Sequence, residues 1–136
     1  MKYVLDACAL IAFLKDENGA DKVEELLEKA KNGKANLYMN KLNLLEVYYD
    51  VYRYAGKARA SDELFGIQCL PIEIVAELSD DVFTKAGEIK ATCRLSLADA
   101  VALAEAIARN AELVTADHHE MDKLHEGGWV RVCWIR

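Results

Sequence analysis

Short apolar runs and longer stretches of helical period take turns along the whole chain, and this alternation limits the possible folds more than any other feature of the sequence. Lys2 to Asp6 reads as a short buried strand. Ala7 to Leu14 follows with helical spacing, until Asp16 to Gly19 breaks it. Val23, Leu26, Leu27 and Ala30 then recur at helical spacing between charged residues, and Asn32-Gly33 supplies a stop. Ala35 to Met39 reads as a second strand. Asn40 can cap a helix running through about Tyr54, with Gly56 at its end.

A short helix around Arg59 to Phe65 leads into Ile67 to Leu70 and Ile72 to Val75, a strand-like segment broken by Pro71, the only proline. Proline cannot donate to a central ladder, so this stretch belongs at a sheet edge or splits there. Helical spacing resumes with Leu78, Val82, Ala86 and Ile89, and again from Leu97 to about Asn110. Glu112 to Thr115 reads as strand, Glu120 to Leu124 as a brief helix, and Trp129 to Ile135 as a closing strand. Strands alternating with helices predict an α/β fold, with a mainly parallel central sheet of about five strands flanked by helices. No linker-like stretch and no internal repeat interrupts the chain, so one domain is expected over residues 1–136.

Hydrophobic residues make up 53% of the chain and charged residues 29%, enough apolar material for a core and too much for a disordered segment. No apolar run approaches the roughly 20 residues needed to cross a bilayer, and the N-terminus lacks the zones of a signal peptide. The expected compartment is the cytosol, with no membrane partner. Cys8, Cys69, Cys93 and Cys133 stand singly without a C-x-x-C pair, mostly among apolar neighbours, and read as buried free thiols. The net charge of -6 disfavours a broad grip on nucleic acid. It leaves room for a local basic path through Arg53, Lys57 and Arg59, with Tyr52 and Tyr54 interleaved, although such a run is more often a solvated helix face.

Four carboxylates sit where apolar segments should not tolerate an acid. Asp6 ends the first strand and Asp117 follows the strand through Thr115, each placed either to cap the next helix or to face a ligand at the carboxyl ends of parallel strands. Asp99, in Ser96-Leu97-Ala98-Asp99, matches a capping box at the head of an Ala-rich helix. Glu46 shares i, i+3, i+4 spacing with Leu42, Leu45 and Tyr49, which directs it toward the core, where it needs either a basic partner or a ligand role. If the fold gathers the four, their repulsion raises their pKa values unless a cation compensates. Hard oxygen donors suit magnesium or manganese.

Read in order, Val4-Leu5-Asp6-Ala7-Cys8-Ala9-Leu10-Ile11-Ala12, Asn43-Leu44-Leu45-Glu46-Val47, Leu95-Ser96-Leu97-Ala98-Asp99-Ala100 and Leu113-Val114-Thr115-Ala116-Asp117 resemble the PIN-domain ribonucleases, especially the toxin component of VapBC-type toxin–antitoxin modules. The resemblance covers nearly the whole chain, including Leu70-Pro71-Ile72 and the closing strand. It implies that Asp6, Glu46, Asp99 and Asp117 form an acidic quartet binding magnesium or manganese, supported by Ser96, Thr115 and Glu120. Members often carry Thr-Ser after the first Asp, where this chain has Ala7-Cys8, and an Asp-Phe pair where it has Glu120-Met121. His118 and His119 are adjacent, cannot both face one site on a helix, and read as surface residues.

The activity implied is metal-assisted hydrolysis of RNA, leaving a 5′-phosphate and a 3′-hydroxyl, by a toxin that pairs with a small antitoxin protein and forms a homodimer. Three alternatives remain at this point. One is a housekeeping PIN nuclease. A second is a phosphatase with Asp6 as nucleophile, although Cys8 occupies the place of that chemistry's second Asp. The third is a binding module whose site has decayed, with the acids left as caps.

Overall fold

The structure, a computed structural model, describes residues 1–136 apart from Glu120, so the supporting role expected of Glu120 lies outside the described residues. Strand β1 (Lys2–Leu5) is followed by helices α1 (Ala7–Leu14) and α2 (Ala20–Lys31), then by β2 (Asn36–Asn40). Helices α3 (Lys41–Ala55) and α4 (Lys57–Gln68) lead to β3 (Glu73–Val75), and α5 (Asp80–Thr92) and α6 (Leu97–Arg109) lead to β4 (Glu112–Thr115). Helix α7 (His118–Glu126) and β5 (Arg131–Trp134) complete the chain.

The strands form one sheet in the order β3-β2-β1-β4-β5, and every neighbouring pair is parallel. In the central strand β1, Tyr3, Val4 and Leu5 are all buried, as befits a strand covered on both faces. Period-two alternation then divides them between two cores. Tyr3 and Leu5 join Leu10, Val23, Leu26, Leu37 and Met39 on the α1 and α2 side. Val4 joins Val82, Ile89, Val101, Leu103 and Leu113 on the side of α5 and α6. The alanines of α6, buried at positions 98, 100, 102, 104 and 106, leave little side-chain bulk between α6 and its neighbours.

Several sequence expectations shift. Ile67 and Gln68 complete α4 instead of starting a strand, because Ile67 lies seven residues after Ala60 and both are buried on one helical face. Only Glu73–Val75 pairs, with β2 and at the sheet edge, as the proline requires. Leu78 precedes α5 and stands 48% exposed, since Ser79 caps that helix by accepting from the Val82 amide at 3.3 Å. Helix α7 begins earlier than expected, at His118, because Asp117 caps it, and β5 is shorter, leaving Trp129 outside. The cysteines form no disulfide, but they are less buried than expected: Cys69 is exposed at the end of α4 and the other three are half-buried. No helix among the described residues is long and apolar enough to cross a membrane.

Candidate active site

The sheet order creates the site. The chain leaves β1 for β2 on one side and returns in β4 on the other, so a crevice opens beyond the carboxyl ends of β1 and β4, where open α/β sheets bind ligands. Leu5 pairs with Val114 in register, which brings Asp6 and the turn into Asp117 to the same edge of the sheet. Both readings of Asp6 hold at once. Its Oδ1 accepts from the Ala9 amide at 2.9 Å, capping α1, yet the residue is only 1% exposed and its charge is withdrawn from water. Asp117 caps α7 in the same way, accepting from the His119 amide at 3.0 Å. The fully buried Thr115 accepts from the Asp117 amide at 3.0 Å, and its hydroxyl also interacts with Asp6.

Asp99 enters from α6. Ser96 caps this helix by accepting from the Asp99 amide at 3.1 Å, but among the described residues the Asp99 carboxylate makes no return bond to the Ser96 amide. Only half of the expected capping box forms. Glu46 is a correction of a different kind. The buried face of α3 runs through Asn43, Leu44, Val47 and Val51, whereas Leu45 and Tyr49 are 52% and 46% exposed. Two apolar stripes of equal helical period compete in this sequence, and tertiary packing selects the one without Glu46. Glu46 is therefore half-buried at the border of the core, and it makes no ion pair among the described residues.

Electrostatic influence links the four acids. Burial pushes the Asp6 carboxyl up to about 7; the Thr115 hydroxyl and Ala9 amide restrain the rise, and the charges of Asp99 and Asp117 add to it. Asp99 is raised by burial, restrained by the Ser96 hydroxyl and raised further by Asp117. Glu46 is raised by burial and then by Asp99. No cationic side chain is a leading influence on any of the three. The Cys8 thiol, raised by burial and by the Asp6 charge, stays protonated beside them.

The PIN domain family model matches residues 3–126. This chain belongs to the PIN-domain family. Among solved structures, the PIN domain is similar to VapBC2 of Rickettsia felis bound to a promoter DNA fragment, at 22% identity over 98% of each chain with a TM-score of 0.76. It is also similar to DNA-bound VapBC of Salmonella typhimurium, at 14% identity over 100% of this chain and 99% of that one, with a TM-score of 0.77. A third likeness is to VapC20 of Mycobacterium tuberculosis, a sarcin-ricin loop cleaving toxin, at 15% identity over 89% of this chain and 94% of that one, TM-score 0.63. These likenesses bear on the fold. A comparison with curated proteins finds no match.

The donor chemistry of this PIN domain fits a divalent cation: mutually repelling carboxylate oxygens at one crevice, without a leading cationic neighbour. The side chains are spread more widely than a closed site, since among the described residues no three His, Cys, Asp or Glu groups converge to hold an ion. One oxygen of Asp6 and one of Asp117 are engaged at helix caps.

Three buried polar residues escaped the sequence reading. Asn40 was visible only as a cap, and the PIN domain uses its other end as well: Oδ1 accepts from the Leu42 amide at 2.9 Å while Nδ2 donates to Glu105 at 3.0 Å. Glu105, an acid within the alanine run of α6, also accepts from Arg109 at 3.0 Å, and the Arg109 guanidinium lies 4.1 Å from the Tyr38 ring centre. Asn43 was hidden within Leu42-Asn43-Leu44. The basic path is divided: Arg59 is held by Glu63 at 3.0 Å, while Arg53 reaches Asp50 at 3.5 Å and lies 5.4 Å from the Tyr49 ring centre. Tyr52 packs edge-on against Tyr48, and Tyr54 lies under Lys15. His118 stacks on Trp134 at 3.9 Å and bonds Asp122 and the Arg136 carbonyl, a surface role beside β5.

Proposed function

We propose that this PIN domain is a magnesium- or manganese-dependent endoribonuclease acting as the toxin of a type II toxin–antitoxin pair. The observation that carries the reading is Asp6, a carboxylate withdrawn from water, raised to about 7, and further destabilised as an anion by Asp99 and Asp117. Such a group is costly to keep unless a cation joins it in the working protein. Asp6, Asp99 and Asp117 would hold the ion directly or through water, with Glu46 orienting a ligand water or completing a second site. When bound, the cation supplies charge neutralisation at the phosphodiester and lowers the pKa of water for in-line attack.

The chain's own residues do the remainder. Thr115 and the Ala9 amide hold the Asp6 carboxylate in one orientation, and Ser96 does the same for the start of α6 beside Asp99. Arg53 and Lys57 are the candidates for phosphate contacts outside the acids, with Arg59 a weaker third because Glu63 already holds it. The toxin assignment draws on the likeness to VapBC complexes and to a toxin that cleaves the sarcin-ricin loop. It carries with it a small antitoxin partner, a homodimer, a cytosolic setting and one domain over residues 1–136. A basic side chain of the antitoxin would meet the acids where the cation otherwise sits.

The deciding experiment is hydrolysis of RNA by the purified protein. Cleavage that requires magnesium or manganese and disappears in Asp6→Asn is expected; metal-independent cleavage, or full activity of Asp6→Asn, would overturn the reading. Copurification from the native host tests the pairing, with a small bound protein expected and a partner-free chain arguing for a housekeeping nuclease.

A further inference from the structure

Asn43 presents a physical puzzle. It is fully buried, its Nδ2 donates to the Ala98 carbonyl at 3.3 Å, and its Oδ1 has no hydrogen-bond partner among the described residues. A buried oxygen left without a donor carries the desolvation cost of that group with nothing in return. If position 43 served only to pack α3 against α6, an apolar side chain would do so without that cost. The amide therefore has value at this position through its donor.

Its location shows what the donor joins. Asn43 lies three residues before Glu46, nearly one turn along α3 and on an adjoining face, and Ala98 immediately precedes Asp99 in the first turn of α6. One side-chain hydrogen bond thus ties the two helices beside both of their acids. A second tie runs from Asn40, the cap of α3, to Glu105, which lies farther along α6 and is anchored by Arg109. With the Glu105 tie farther along α6, the Asn43 bond is the side-chain hydrogen bond that joins α3 to the first turn of α6 among the described residues.

We infer that Asn43 is a positioning residue that sets the separation of Glu46 and Asp99 by holding the Ala98 carbonyl, so that the two acids can act on one cation. This rests on the reading of the four carboxylates as a shared metal site. Asn43 touches neither substrate nor cation; it acts through the helix that carries Asp99. Without its donor, the first turn of α6 can move away from α3 and the metal has to restore the approach each time it binds.

The test is a manganese titration followed by thermal unfolding, alongside RNA cleavage, for wild type and Asn43→Leu. Leucine keeps the number and branching of the side-chain heavy atoms and removes the donor and the orphan oxygen together. The metal-free variant is expected to melt as high as wild type or higher, while the manganese concentration giving half of the thermal shift rises about tenfold. Cleavage should fall at limiting manganese and recover at saturation. Asn43→Thr restores a shorter donor and should bring the requirement back toward wild type; if Asn43→Leu does not fold, Asn43→Val, which has the shape of threonine without its hydroxyl, serves as the test variant and is judged by the same titration. If wild type shows no manganese-dependent rise, the shared cation site falls and the positioning role with it. If wild type responds and the variant responds at the same concentration, only the positioning role is overturned. A lower melting temperature with unchanged manganese dependence would likewise reduce Asn43 to a packing residue.

Discussion

The Asp6 amide donates to the Val114 carbonyl across 3.2 Å, so the acid that ends β1 is fixed by its own backbone to the strand that leads to Asp117. Sheet pairing, with the Thr115 hydroxyl between Asp6 and the Asp117 amide, sets the distance between these two parts of the site. Substitutions of the carboxylates can therefore remove charge while leaving the crevice framed.

The raised Asp6 pKa makes metal-free stability depend on pH. Between the unfolded carboxylate value near 4 and the folded value of about 7, the folded chain binds the extra proton, so the contribution is fully present below the lower value and is lost as pH rises through the upper one. Glu46 and Asp99 are raised and act in the same sense. Melting temperature in chelator should be higher at pH 5.5 than at pH 8, and magnesium should narrow the gap. A flat profile, or greater stability at pH 8, would contradict the electrostatic description of the site.

Asp6→Asn and Asp6→Ala should separate the acid's two roles. Asparagine still caps α1 while removing the charge, so cleavage should drop by at least about 100-fold, with metal-free stability at pH 8 equal to wild type or greater. Alanine also loses the bond to the Ala9 amide and should be less stable than Asp6→Asn by about 1 kcal/mol. Denaturant unfolding of both variants checks this. Equal stability would mean that the cap contributes nothing.

Glu46→Gln should reduce cleavage by about 10- to 100-fold. Because Glu46 is half-buried and no ion pair holds it among the described residues, metal-free stability should change by no more than about 0.5 kcal/mol. Retained cleavage with a loss of several degrees in melting temperature would instead make Glu46 a structural residue.

Glu105→Leu should be the most damaging change outside the acids. It strands the buried Asn40 amide and frees the partly exposed Arg109 guanidinium, and losing a buried hydrogen-bonded charge with its partners costs about 3 kcal/mol. A fall in melting temperature of about 10 °C is the expected reading. A change below about 2 °C would show that solvent replaces the lost partners.

Arg53→Ala and Arg59→Ala should differ in RNA binding. A residue that contacts one phosphate contributes about 0.7 to the slope of log affinity against log salt for single strands. Arg53, 72% exposed and 3.5 Å from Asp50, should give such a loss, whereas Arg59 is held more closely by Glu63, at 3.0 Å, and should give less. Equal slopes for both variants and wild type would place the RNA path elsewhere.

Strand and helix order were legible because the parallel sheet needs apolar runs of one period and its crossovers need another, and Pro71 located the edge of the sheet. Asp6 and Asp117 were legible as acids at strand ends. The face of Glu46 was not, because Leu42, Leu45 and Tyr49 repeat as regularly as Leu44, Val47 and Val51, and only the neighbouring elements decide between them. The capping-box pattern paired Ser96 with Asp99 correctly, but the Asp99 carboxylate turns to the Ser96 hydroxyl and not to its amide. Asn43 and Glu105 were invisible for a related reason: their partners, Ala98 and Asn40, lie far away in sequence.

The placement of β1 at the middle of the sheet has a consequence for synthesis. Of the five strands β1 is made before the other four, and it waits for β4, most of these residues later, before one of its two sides is occupied. Asp117 reaches the edge beside Asp6 only after that strand has docked. A nascent or truncated chain that stops short of β4 therefore lacks one of the four acids, and under the proposed function cutting power would arrive only when β4 and Asp117 are in place, rather than growing as the chain lengthens.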